Sequence, residues 1–511
     1  MAPPPPLMGS QAATQTEVQL ERARAQTQQR PLALVPTISL EETLTDNVNL
    51  KPAATRRGDL VTQIIPGLQI TENGARTKLN GTITVPILLY ARTGSENNRA
   101  VPQINLLGKV EAIDRLLFVD GAVYVTQEYF TPFGSRSASL VNNPDNAYIA
   151  QNYRVSPYLK GVTPGGLSYE LRDNNIWSNL SSTPISVNNS YTNEIVANLT
   201  RQPLPLGWAL DYNRSDVKFK GQEPQITELG RSRVLYRADP AIELSASLGY
   251  EHNRYPFAEY NDFIYGAGAR WRPTERTNVD ATWEHRFFGS SYRLVFDHRT
   301  PLSIWTIDAS RNVTSYPQVL AQIPAGGIVP LLLDFLFTSR IPDPVQRQQF
   351  VLAFMQDRGL PLVLTSPFNL YTQQIYLEER ASATAGLIGV RNTLFVTGYR
   401  ARVQPIIASG SSLPPIIELL NNNTQVGAGL VWTYNLTAVS TLAASVDYVH
   451  TTANPPLSGK TDQGSLRIVV TTPMSANTSV YAGARFQSLH SDFSDSSREL
   501  AGYAGITHTF R

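Results

Sequence analysis

The chain has 511 residues, of which 42% are apolar and only 16% charged, with a formal net charge of +2. Soluble chains carry roughly 25% charged residues, so much of this exterior is expected to avoid water, and a near-neutral balance gives no basis for a nucleic-acid partner. No apolar run reaches the roughly 18 residues that a spanning helix needs, which excludes a helical membrane protein. A membrane protein without such helices must close its sheet, because lipid leaves open edges unpaired. The absence of cysteine excludes disulfides and thiolate metal sites and is compatible with an oxidising envelope compartment.

Residues 1–33 open on a proline run followed by Gln, Ala and charged residues, and read as a disordered or partly helical leader. It holds no basic segment followed by an apolar one, so an export signal is expected to have been removed or the start to be misassigned. Residues 34–511 read as one barrel. Alternating runs fall at 35–45, 60–71, 76–90, 103–113, 115–128, 147–160, 165–176, 188–200, 206–218 and 225–237. After every second run the link is short and built from turn residues, such as Glu72 to Ala75, Gly161 to Pro164 and Ala238 to Pro240. Most intervening links, such as 46–59, 91–102 and 129–146, are long. Short periplasmic turns alternating with longer extracellular loops are the asymmetry of an outer-membrane barrel.

Runs 241–254, 260–272 and 277–288 show the alternation most clearly. Ile242, Leu244, Ala246, Leu248 and Tyr250 share one face of the first, and Glu243, Ser245, Ser247, Gly249 and Glu251 the other. Such runs exceed the 5 or 6 residues usual in globular strands, at roughly 12, and fit the roughly 9 to 11 that a tilted membrane strand requires. Phe263, Tyr265, Trp271, Trp283, Trp432, Phe486 and Phe510 are the expected lipid-face aromatics.

The remaining runs, 291–298, 302–312, 374–388, 391–403, 423–435, 438–451, 461–472, 476–489 and 498–510, bring the expected count to about 22 antiparallel strands, up and down. Gly289 and Ser290 leave a short link where a long loop is expected, so 20 is the alternative count. The connection 313–373 contains IVPLLLDFLF and DPVQRQQFVLAFMQDRG, two short helices separated by Pro342 and Pro344, with Asp343 as a start and Gly359 as a stop. It is either a lid or inward constriction of the pore, or a surface loop whose Leu331, Leu333, Phe335, Phe350 and Phe354 pack on one another or on the rim. In the last run, Leu500, Gly502, Ala504, Ile506 and Phe510 share one face. That run resembles the C-terminal recognition strand of bacterial outer-membrane proteins, which implies barrel assembly machinery as a partner, although His508 and Arg511 depart from the pattern.

The opposite, lumenal faces carry Arg231, Arg233, Arg270, Arg272, Arg286, Arg400, Arg402, Arg467 and Arg485, interleaved with Glu243, Asp262, Asp280 and Glu284. Fixed charges on a pore wall select what passes, and arginine binds carboxylate or phosphate bidentately, so an anionic or polyhydroxylated solute fits. A cross-strand ladder of ion pairs is the alternative, and the expected role of most of these residues individually. No two of the six histidines stand at metal-ligand spacing, and no GxSxG, HExxH or glycine-rich phosphate loop is present, so neither an enzyme nor a cofactor is expected.

At the start of the barrel, VPTISLEETLTDNVNL is followed by GDLVTQIIPGLQI, with Pro36 to Leu40, Glu42 to Asn47, and Pro66 with Gly67 as the informative positions. This resembles the opening strands of the PEP-CTERM/exosortase-associated bacterial outer-membrane β-barrel family, which is linked to exopolysaccharide. The resemblance implies a Gram-negative outer-membrane barrel, in contact with membrane lipids, that passes or helps export a hydrophilic polymer or solute, with polysaccharide and periplasmic export components as partners. A structural or adhesive barrel with polysaccharide-binding loops, or a general porin, is the alternative, with a barrel hydrolase behind both.

Overall fold

The computed structural model describes residues 32–510 except 181–188, 221, 257, 316–328, 344–345, 348–349, 352–353, 356–357, 359, 362–363, 366, 368–374, 407–418 and 420. Residues 1–31 of the expected leader, and Pro344 and Gly359, lie outside the described residues, while Leu32 and Ala33, expected to close the leader, belong to the first strand. The first strands are β1 (Leu32–Thr45), β2 (Asp59–Asn73), β3 (Thr77–Thr84 and Ile87–Tyr90), β4 (Arg99–Ala100 and Gln103–Ile113), β5 (Leu117–Tyr129), β6 (Ala147–Val162) and β7 (Leu167–Leu180). They continue as β8 (Ser190–Arg201), β9 (Leu206–Phe219), β10 (Gln225–Asp239), β11 (Ile242–Tyr255), β12 (Ala258–Thr274), β13 (Thr277–Arg286), β14 (Gly289–Arg299) and β15 (Ser303–Thr314). The last are β16 (Tyr376–Ile388), β17 (Asn392–Pro405), β18 (Asn423–Asn435), β19 (Thr441–Ala453), β20 (Lys460–Pro473), β21 (Thr478–Ser491) and β22 (Ser497–Thr509). Short helices include α1 (Gly94–Asn97) and α2 (Val329–Phe337).

Each strand pairs antiparallel with its sequence neighbours, and β1 also pairs with β22, from Thr37 opposite Thr509 to Thr45 opposite Ala501. The sheet is therefore a closed 22-stranded barrel with no free edge. The breaks in β3 and β4 fall beside Pro86 and Pro102, which lack the amide hydrogen that a ladder uses. At the doubtful link, Arg286 stands opposite Gly289. Phe287 and Phe288 thus form a tight hairpin connection, with Gly289 supplying the left-handed φ of +91° that a side chain would resist. Both flanking strands exist, which fixes the count at 22.

One face of the wall points outward and is greasy. On β11 and β12, Leu248 is 70% exposed and Phe263 71%, while between them on the other face Ser247 and Glu251 are buried. Trp271, Trp283 and Phe486 are likewise exposed, so the aromatics are not sandwiched between two layers. The short turns lie at the same end as Leu32 and Phe510, and the longer loops at the other, which by the outer-membrane rule makes these the periplasmic and extracellular ends.

Two of the longer connections fold into the ring. Residues 130–146 cross the extracellular mouth: Val141 packs with Val48, Val61, Leu88, Tyr90 and Val101, and Phe133 meets Phe493 with ring centroids 4.7 Å apart. The connection after β15 goes deeper. Val329, Leu333, Leu336 and Phe337 of α2 pack against Ile304, Ile388 and Phe395, all near the periplasmic ends of their strands. Arg358 donates to the Val390 carbonyl in a periplasmic turn at 2.6 Å, and Arg299 at the end of β14 donates to the Phe335 carbonyl at 2.9 Å. Leu333 and Phe337 are therefore buried inside the barrel rather than on its rim.

Candidate functional site

The lumen wall from β8 to β15 faces a cavity of about 200 Å³, well above the roughly 10–15 Å³ that one water needs. Its lining mixes polar and apolar groups, with Asn213, Arg231, Ser247, Asp280, Thr282 and Glu284 supplying the polar part. These side chains converge because the period of two puts every second residue of adjacent strands on the inner face. Register then sets them opposite one another, Arg233 facing Ser247 and Arg270 facing Asp280.

Most charges here are matched. Arg233 grips Asp211 through two contacts of 2.6 and 2.9 Å, and Arg231 reaches the same carboxylate at 3.3 Å and Glu284 at 2.6 Å. Glu284 also accepts from the Ser247 hydroxyl at 3.0 Å. Arg286 donates twice to Glu251, at 3.0 and 2.6 Å. Toward the periplasm Arg270 joins Asp280 and Glu243, each at 3.0 Å, and Arg272 donates to Asn278. Arg467 donates to the Tyr503 hydroxyl at 2.8 Å. Arg485 pairs with Glu499 at 2.8 Å, and Asn142 donates to that carboxylate at 2.8 Å, tying the 130–146 loop to β21 and β22.

The geometry is that of a cross-strand ladder, with arginines held by carboxylates rather than offered to a bound anion. Asp211, Glu251 and Glu499, three of its anchors, were not among the sequence candidates. Parity could have found them: Asp211 shares a face with Gly207 and Ala209, and Glu251 with Glu243.

Two expected lumenal residues are on the other side. On β17 the buried residues are Thr393, Phe395, Thr397, Tyr399, Ala401 and Val403, whereas Arg400 and Arg402 share the outward face with the exposed Val396. Phe395 joins the apolar cluster around α2, and Val403 packs with Tyr376 and Tyr129, so the lumen face of β17 carries apolar residues too and oiliness no longer marks the lipid side. Asp262 stands apart from the ladder, 3.7 Å from the His285 imidazole. His285 in turn stacks on Tyr265 at 4.9 Å. Phe263, Tyr265, Trp271, Trp283, Phe486 and Phe510 are exposed. Trp432 is half-buried, stacked on Tyr434, and donates to Asn392 at 3.1 Å.

No protein-family model and no curated protein matches this chain. Solved structures do. The FrpB iron transporter of Neisseria meningitidis, in its apoprotein form, is 8% identical with a TM-score of 0.50, over 96% of this chain and 83% of that one. OpdK, an outer-membrane protein of Pseudomonas aeruginosa, is 7% identical with a TM-score of 0.35, over 94% of this chain and 99% of that one. The siderophore receptor PirA of Pseudomonas aeruginosa is 8% identical with a TM-score of 0.39, over 94% and 80%. What this chain shares with the transporter is the fold, that of a Gram-negative outer-membrane barrel.

Proposed function

We propose that this barrel is an outer-membrane channel for a neutral, hydroxyl-rich solute, held nearly closed by the inserted connection between β15 and β16. The carrying observation is the cavity of about 200 Å³ beside that connection, with Asn213, Ser247 and Thr282 on its polar side. A barrel of about 22 strands encloses a lumen too wide for its own wall side chains to fill, and here two connections occupy much of it. Five of the wall's arginines, Arg231, Arg233, Arg270, Arg286 and Arg485, are paired with carboxylates, which weakens any cationic field that would select anions. Serine, threonine and asparagine along the cavity exchange hydrogen bonds with hydroxyl groups instead. The resemblance of residues 36–67 to exosortase-associated barrels supports an exopolysaccharide setting, with the solute a polysaccharide or its fragment and periplasmic export components as partners.

Liposome swelling tests the reading. Vesicles carrying the protein should admit neutral oligosaccharides slowly, and faster when residues 316–374 are replaced by a short flexible linker. The rival is a permanently shut adhesive barrel, favoured by the same two inserted connections. It gains if vesicles with either protein remain impermeable while the extracellular loops bind polysaccharide.

A further inference from the structure

Some charge on the outward face is matched strand by strand, as Arg214 is with Glu228 at 2.9 Å. In the sector from β14 to β18 cations outnumber carboxylates and stand close together. Register sets Tyr292, Arg311, Glu379 and Arg402 in one row across four strands, and Arg400 lies next along β17 on the same face. Glu379 is the one carboxylate among the described outward residues of these five strands, against three arginines. It is already engaged, by Arg400 at 3.5 Å and by the Tyr292 hydroxyl. Arg400 stays 52% exposed, and Arg402 has no ion pair among the described residues. Arg311 is braced by the Ser290 and Phe288 carbonyls, which orient its guanidinium without neutralising it.

Height matters as much as charge. Arg311, Glu379 and Arg402 lie three residues and Arg400 five from the extracellular strand ends, about 10 to 17 Å along the strand and less in height once tilt is allowed for. Directly beneath them the outward face turns apolar, with Ala381, Ala383, Val396, Ile307 and Trp305. The row therefore sits where hydrocarbon gives way to headgroups. An unmatched cation on a wall that faces lipid finds its counter-charge in the lipid, and guanidinium groups grip phosphate oxygens in pairs.

We propose that Arg311, Arg400 and Arg402 form a binding site for the phosphate of a phosphorylated glycolipid of the outer leaflet, its acyl chains lying on the alanine-rich wall below. The site does not depend on what passes through the lumen. It is tested by native mass spectrometry of the full chain in non-ionic detergent, titrated with bis-phosphorylated lipid A, with the dephosphorylated lipid as comparison. The intact protein should retain the phosphorylated form at least about 10-fold more strongly, as expected where several cations meet an anionic headgroup. Arg400→Gln with Arg402→Gln should abolish the preference, while Arg254→Gln, on β11, should keep it. Equal retention of both lipids by the unaltered protein overturns the proposal whether or not the double variant folds, as does an unchanged preference in a folded double variant.

Discussion

Glu499 is buried and accepts hydrogen bonds from Arg485, Gln487, Asn142 and Thr45. Its replacement strands the Arg485 guanidinium, only 4% exposed, without a counter-charge. Glu499→Ala should lower stability by about 3–5 kcal/mol, read by urea unfolding in lipid vesicles. Arg400→Ala removes an exposed pair and should change it by less than about 1 kcal/mol. Asp211 carries a different consequence, because it neutralises two lumenal arginines at once. Asp211→Asn should leave Arg231 and Arg233 partly unmatched and, if the barrel conducts as proposed, shift its current toward anions, seen as a shifted reversal potential across a salt gradient. The side of Arg270 and Arg485 could be read from their neighbours' alternation, while that of Arg400 and Arg402 could not. Around them Phe395 and Val396, on opposite faces of β17, are equally apolar, one for α2 and the other for lipid.

The elements divide in the same way. Strands longer than ten residues repeat their period often enough to be located to within a few residues, and turns such as the one at Thr163 to Gly166, where Gly166 takes a φ of +76°, carry their own chemistry. The inserted connections have no period. Asn142 meets Glu499 across 357 residues of sequence, and nothing local announces the partner. The two short helices expected near 329–358 are in the right place: α2 spans Val329–Phe337, and Gln346, Arg347, Phe350, Val351, Phe354, Met355 and Arg358 are helical. Their destination at the periplasmic end was legible only as one of two alternatives. Arg299 and Arg358 are the polar ties at that end, each donating to a backbone carbonyl. Replacing both with alanine removes these ties and the stacking of Arg299 on Phe335 and of Arg358 on Phe354, and should loosen the connection while leaving the buried Leu333 and Phe337 in place. In planar bilayers the expected outcome is more frequent opening at unchanged maximal conductance, whereas a merely structural loop would leave the opening frequency as it was.

For the whole molecule, the decisive relation is between parity and solvent. A soluble barrel would bury its greasy face and wet its polar one, and this ring does the reverse over most of its circumference. Trp283 and Thr282, adjacent on β13, separate the two environments by one residue: Trp283 points outward, 42% exposed, and Thr282 lines the cavity. An arginine in place of Trp283 would place a charge against hydrocarbon, which near the bilayer midplane costs about 2–4 kcal/mol. An arginine in place of Thr282 would enter a cavity already lined by Asp280 and Glu284, whose carboxylates can take up its charge. Unfolding the two variants in phosphocholine vesicles should therefore give a loss several-fold larger for Trp283→Arg. In a soluble protein the order would invert, since an exposed tryptophan yields to arginine at little cost and a buried threonine does not.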